Sequence, residues 1–315
     1  MLFMIKIPQI SYIVLIVFSI LFPGANYAFS KGTAIIIKSQ DLSAYNNVEA
    51  GFKKECRNND ITIRSIYNLN GKMKVGRKMV RNIEKEKPDI ILTIGVLATT
   101  IAKEEIEDIP IIFCMVINHE RYELIKQNIT GISNEVAIES QLIGYQALVN
   151  SLRNVGVIYD PSNTGNIIDD AERQMKGIGI RLVKYEIKSP EMVGKALHAL
   201  NGKIDALWIL PDRTVVTKDS FNLIKTTTIE NNIPLLCTND VFVKAGALMA
   251  VFSDYAEIGR QAAQLANKIL RLPSKDSLGI IYPDTYKLAV NSRTAKKLGL
   301  NLDTIRRIPH VIIYP

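Results

Sequence analysis

From Thr33 onward the chain alternates two patterns of apolar residues. Short unbroken apolar runs appear in TAIIIKS, PDIILTIG and PIIFCMVI. Between them, apolar residues recur every three or four positions: Val48, Phe52 and Cys56, then Val75, Met79, Val80 and Ile83, then the stretch LATTIAKEEI. The first pattern predicts strands buried on both faces, and the second predicts helices with one apolar stripe. ITIRSIYNL adds a further strand. Strands and helices in strict alternation predict βα units wrapped around a parallel sheet.

Beyond NITGISNE the alternation restarts. A helix is predicted with Ile138, Leu142, Tyr145, Leu148, Val149 and Leu152 on one face, followed by the strand VGVIYDP. A helix with Ile168, Ala171 and Met175 then leads to IRLVKYEI. One with Val193, Ala196, Leu197 and Leu200 leads to DALWIL, and another leads to IPLLCT. After GALMAVFS comes the widest stripe in the chain: Ile258, Ala262, Leu265, Ala266, Ile269 and Leu270. The fold class read from this pattern is α/β, with two similar parallel-sheet units and no flexible linker between them.

Where each apolar run ends matters more than where it begins. ALWILPDRT stays apolar through Leu210 and then turns to Pro211, Asp212 and Arg213. A strand buried on both faces can turn polar only where it leaves the sheet, and in open α/β sheets ligands bind at those carboxyl ends. The candidate ligand residues are therefore Gln40 and Asp41 after AIII, Gly95 and Val96 after IILTI, and Asn118 after CMVI. In the second unit they are Asp160 and Asn163 after VGVIY, Asp212 and Arg213, Asp240 after PLLCT, and Asp254 and Tyr255 after ALMAVFS. Each has a plainer reading. Asp160 before Pro161 forms turns, and Asn163 and Asp254 could cap helices. Trp208 lies inside its run and reads as core.

Composition narrows the chemistry. A net charge of +8 is spread along 315 residues. The densest basic stretch, KMKVGRKMVRNIEKEK, also carries acids and reads as a solvated helix face, so no nucleic-acid partner is expected. The N-terminal ISYIVLIVFSILF follows Lys6 and precedes Pro23, Gly24 and small residues up to Ala28. It reads as a secretory signal over residues 1–30. The run is short of the roughly 20 residues of a membrane span, and an uncleaved anchor is the alternative. Cys56, Cys114 and Cys237 fit no metal spacing and are read as free buried thiols.

The three histidines, His119, His198 and His310, are scattered. GxSxG, GxGxxG and Walker loops are missing, so neither catalysis nor a cofactor is expected. The turn TIGVLAT opens a helix whose N–H groups could hold an anion. Acids, asparagines and tyrosines at strand ends suit a small ligand bearing an ammonium group. Arg213 or backbone N–H groups would take its carboxylate, and Tyr45, Tyr159 or Tyr255 would stack on its apolar part.

The order of KPDIILTIGVLATTIAKEEIEDIPIIFCMV, NITGIS, VGVIYDPSN, IDALWILPD, GALMAVFSDYAEIGRQAAQLANKIL and LAVNSRTAKKLGLNL carries a resemblance. Over nearly all of residues 33–302 the chain resembles the ABC-transporter substrate-binding proteins that include tryptophan- and tyrosine-type binding proteins. The resemblance implies a type I periplasmic-binding-protein fold with two Rossmann-like lobes, three crossings and a ligand cleft. By analogy lobe 1 is 31–133 plus 243–272, and lobe 2 is 134–242 plus 273–315. It also implies a small-molecule ligand such as an amino acid, permease and ATPase partners in the membrane, an extracytoplasmic location and a monomeric receptor. INHERYE after CMV departs from the TDP-like segment usual there, which bears on the first-lobe contacts. A ligand-sensing receptor signalling to a membrane kinase or cyclase is the alternative, and a two-lobed isomerase or racemase the third reading.

Overall fold

A computed structural model describes residues 32–274, 276–303, 305–308 and 311–315; the expected signal segment and His310 lie outside these. Two sheets form. The first has the order β11-β5-β4-β3-β1-β2. It comprises β1 (Gly32–Lys38), β2 (Ile61–Asn68), β3 (Ile90–Ile94), β4 (Ile111–Cys114), β5 (Ile129–Ile132) and β11 (Ile280–Ile281), all paired in parallel. The second has the order β13-β12-β10-β9-β8-β6-β7. Its strands are β6 (Asn154–Tyr159), β7 (Arg181–Glu186), β8 (Ala206–Ile209), β9 (Leu235–Cys237), β10 (Met249–Ser253), β12 (Tyr286–Asn291) and β13 (Val311–Tyr314). Pairing in it is parallel except between β10 and β12.

The central strands earn their apolar runs by packing on both faces. Along β1, Ala34 and Ile36 enter one core cluster while Ile35 and Ile37 enter another on the opposite face. In the second sheet Val157 and Trp208 face one cluster, and Ile158, Leu207 and Ile209 face the other. Strands β2 and β7 sit at sheet edges and alternate buried with exposed positions, as half-covered strands do.

Helices fall where the periodicity puts them. In α1 (Ser43–Asn58), Val48, Phe52 and Cys56 are buried. One stripe is rotated from expectation. In α2 (Met73–Glu86), Val75 is 51% exposed, and Gly76 turns inward instead. A Cβ on Gly76 would lie 2.7 Å from Ile101 and 3.1 Å from Leu69, so the helix makes its closest approach at the residue with no side chain. The buried stripe beyond Tyr145 also outlasts its helix. α4 (Ile138–Gln146) ends before Leu148, Val149 and Leu152, which stay buried.

The return of the chain differs from the expected lobe boundaries. Val243 packs in the second lobe's core and β10 pairs within the second sheet, so only the helix α9 (Tyr255–Arg271) from the 243–272 segment lies on the first lobe. Conversely, Ile280–Ile281 pairs with β5 in the first sheet. Strand β10 is apolar on both faces and is satisfied only between β9 and β12. Helix α9 carries its wide stripe to α1 and β4. There the two helices touch through glycines: a Cβ on Gly51 would sit 2.0 Å from the Ala256 carbonyl oxygen, and one on Gly259 2.0 Å from that of Val48. The chain passes between sheets three times, at 133–137, at Asp254 and at 282–285.

Candidate functional site

In each sheet the strand order reverses at one place. In the first it lies between β1 and β3, and in the second between β6 and β8. Such switch points open a crevice at the carboxyl ends of the strands, and the candidate residues gather around these two.

At the first switch point, Ser39 is buried, and its Oγ accepts the Ala98 N–H at 2.9 Å in the first turn of α3 (Val96–Glu105). Gly95 precedes that helix with φ of 92°. A Cβ there would lie 2.6 Å from the Tyr45 hydroxyl and 2.7 Å from Ser39 Oγ, so both conformation and space require glycine. Val96 is half-buried beside it. Burial raises the Tyr45 phenol above its ordinary range. Gln40 and Asp41 are exposed, and Asp41 accepts Asn46 Nδ2 at 2.8 Å.

The segment after β4 is held in an unusual conformation. Met115, Asn118 and Glu123 all have positive φ, at 61°, 51° and 47°. Asparagine tolerates this region; methionine and glutamate adopt it at a cost of roughly 1 kcal/mol or more each. The Asn118 N–H donates to Glu135 Oε1 at 2.9 Å. Glu135 stands on the first crossing, where burial pushes its carboxyl upward. Nearby, His119 Nδ1 and Asn134 Oδ1 are buried polar atoms without a hydrogen-bond partner in the structure.

At the second switch point Asp212 is 1% exposed and ties the two strand ends together. Oδ2 accepts the Asp160 N–H at 2.9 Å and the Thr164 hydroxyl at 2.8 Å. Oδ1 accepts Asn163 Nδ2 at 3.0 Å and the Thr214 N–H at 2.9 Å. Asp160 caps α5 (Pro161–Gly177) through Ser162 N–H and accepts the Thr214 hydroxyl at 2.7 Å. Donation by that hydroxyl and by Ser162 holds the Asp160 carboxyl below its usual range. Both oxygens of Asp212 thus accept from donors of its own lobe.

The two switch points meet at Asn163. Asn118 Nδ2 donates to the Asn163 carbonyl oxygen at 3.0 Å, and Arg121 Nη1 donates to Asn163 Oδ1 at 3.2 Å. Arg213 Nε donates to the same Oδ1 at 3.2 Å. Asn118, Asp160, Asn163 and Asp212 thus belong to one group. Arg213 joins it through Asn163, and among the described residues no hydrogen bond links the remaining candidates to it. Asp240 pairs with Lys244 at 2.7 Å and accepts the Tyr314 hydroxyl at 2.8 Å. Burial, followed by the Asp240 charge, pushes Tyr255 to about 12. Asp254 caps α9 and pairs with Lys287 at 2.7 Å, which favours the capping reading of that residue.

Sequence reading missed Arg121 and Glu135. Neither stands directly at a strand end; Arg121 enters through a 3-10 turn, His119–Tyr122, and Glu135 through the crossing. The departure of INHERYE from the usual pattern was the available signal for Arg121.

Comparisons with known proteins agree with this architecture. The sequence profile of the family described as ABC transporter substrate binding protein matches residues 34–305. The tyrosine-binding protein of Clostridioides difficile is 27% identical over 252 residues, covering 76% of this chain and 72% of that protein. Among solved structures, an open, ligand-free substrate-binding protein with adhesive properties from Clostridium difficile superposes with a TM-score of 0.77 at 22% identity, over 90% of this chain and 99% of that one. An ABC domain from Streptococcus pneumonia in complex with L-Trp gives 0.62 at 17% identity, over 90% and 100%. These two likenesses establish the fold.

Proposed function

Because the chain belongs to the ABC transporter substrate-binding proteins, which bind a substrate without transforming it, we propose that it is an exported receptor capturing an amino acid or similar small molecule for an ABC importer. The ligand sits between the two switch points, and a membrane permease with its ATPase receives it from the closed form. The carrying observation is the group at Asn163, where side chains from the ends of both sheets already meet. Contacts to both lobes favour the closed population by the ligand's differential affinity for it, with hinge motion at the crossings. The name of the Clostridioides difficile relative and the L-Trp in the Streptococcus structure support an amino acid over a sugar. The N-terminal apolar segment supports export, and no helix among the described residues is long and apolar enough to cross a membrane.

A thermal-shift screen with the common amino acids, nucleosides, sugars and short peptides tests this. A ligand at 100 times its Kd stabilises by about 2.7 kcal/mol, which raises the midpoint by several degrees. A broad panel in which nothing shifts the midpoint overturns the receptor reading.

A further inference from the structure

Arg121 and Arg213 reach one atom from opposite lobes. Each donates a single N–H to Asn163 Oδ1 at 3.2 Å, so the two donor nitrogens lie within twice that distance of each other. Oδ1 must be the atom facing them, since Nδ2 of the same amide is turned toward Asp212 Oδ1, Thr214 Oγ1 and Asp160 Oδ2. Neither guanidinium comes within ion-pair distance of a carboxylate among the described residues, although, after the hydrogen bonds from Thr214 and Ser162, the Arg121 charge contributes to lowering the Asp160 carboxyl. The nearby carboxylates are occupied elsewhere, Asp212 by its four donors and Asp160 by Ser162, Thr214 and Asn163. Two like charges are thus brought together by a neutral oxygen, and each exposed guanidinium makes no other hydrogen bond among the described residues.

We propose that Arg121 and Arg213 form a carboxylate site spanning the cleft, with Asn163 as the residue that positions both guanidiniums. The proposal rests on the receptor reading above and adds the chemistry it selects: an anionic small molecule whose carboxylate bridges the lobes. The planar fork of arginine matches a carboxylate with two parallel hydrogen bonds. The bridging anion also removes the repulsion between the two cations, which is greatest in the closed form. The carboxylate therefore couples binding to closure, because only the closed form presents both forks to it. Arg121 lies in the segment that carries three positive-φ residues.

Calorimetric titration of the purified protein tests this with amino acids, the amines obtained by removing their carboxylate, and the 2-oxo acids that lack the ammonium group. Arg121→Gln and Arg213→Gln are each expected to raise the Kd of carboxylate-bearing ligands on the order of 10- to 100-fold, the range of a lost charge-assisted hydrogen bond. The double variant should lose less than the product of the singles, since the two share one anion. Arg173→Gln, an exposed arginine on α5, controls for net charge and should leave Kd unchanged. If amino acids bind the parent chain but both variants stay within about twofold, or if the amines bind as tightly as the amino acids, the carboxylate site is wrong and the receptor reading stands. If no member of the panel binds, both fall together.

Discussion

Replacing Asp212 by alanine is expected to damage the fold itself. The carboxylate is 1% exposed and accepts four hydrogen bonds between 2.8 and 3.0 Å, two from the backbone N–H groups of Asp160 and Thr214 and two from Thr164 and Asn163. A fifth, longer contact comes from the Val215 N–H at 3.4 Å. A hydrogen bond to a charged group contributes about 1.5–3 kcal/mol. Alanine strands all these donors, while removing the cost of burying the charge and admitting some water. The net loss is therefore about that of one or two buried donors left unsatisfied, at about 1–3 kcal/mol each. Urea unfolding at pH 7 measures it, with an unchanged m-value required for the comparison. Affinity for any ligand should fall too, because Asn163 loses an anchor. From the sequence, the same substitution would weaken binding with little effect on stability. A loss below about 1 kcal/mol would return Asp212 to the ligand and refute the reading of it as the tie between β6 and β8.

Gly259→Ala places a methyl 2.0 Å from the Val48 carbonyl oxygen and 2.7 Å from the Phe52 nitrogen. Backbone atoms cannot swing aside, so α1 and α9 must part, costing about 1–3 kcal/mol; Gly177→Ala, with nothing within 4 Å, should be neutral by the same denaturation assay. Burial raises the Glu135 pKa, so the native chain keeps this proton to higher pH than the unfolded chain. Its contribution to stability is full below the unfolded value of about 4.3 and is lost as pH rises through the folded value. Glu135→Gln cannot ionise and should flatten that part of the decline in urea midpoint with rising pH. Identical slopes for variant and parent would show that the carboxyl is not desolvated.

Local patterning was enough to determine the βα alternation, the polar ends of the strands and the three buried thiols, because strand and helix periods depend only on which side of each element meets water. It pointed to Asn118, Asp160, Asn163 and Asp212 as neighbours of a ligand crevice for the same reason: buried strands turn polar only at their ends. Which of these charges remain free was decided by the tertiary structure. Asp212 looks like a free acid in ALWILPDRT, yet donors from Asp160, Asn163 and Thr164, some fifty residues away along the chain, join the neighbouring Thr214 N–H in taking up its oxygens. Arg121 looks like one exposed base among many, yet the fold sets it beside Arg213 on a single amide oxygen. Helix α9 follows a strand of the second sheet, yet packs on the first because two glycines, Gly51 and Gly259, let its backbone reach α1. Hydrogen-bond partners and helix contacts across long sequence separations depend on how elements stack, and no periodicity within one element encodes them.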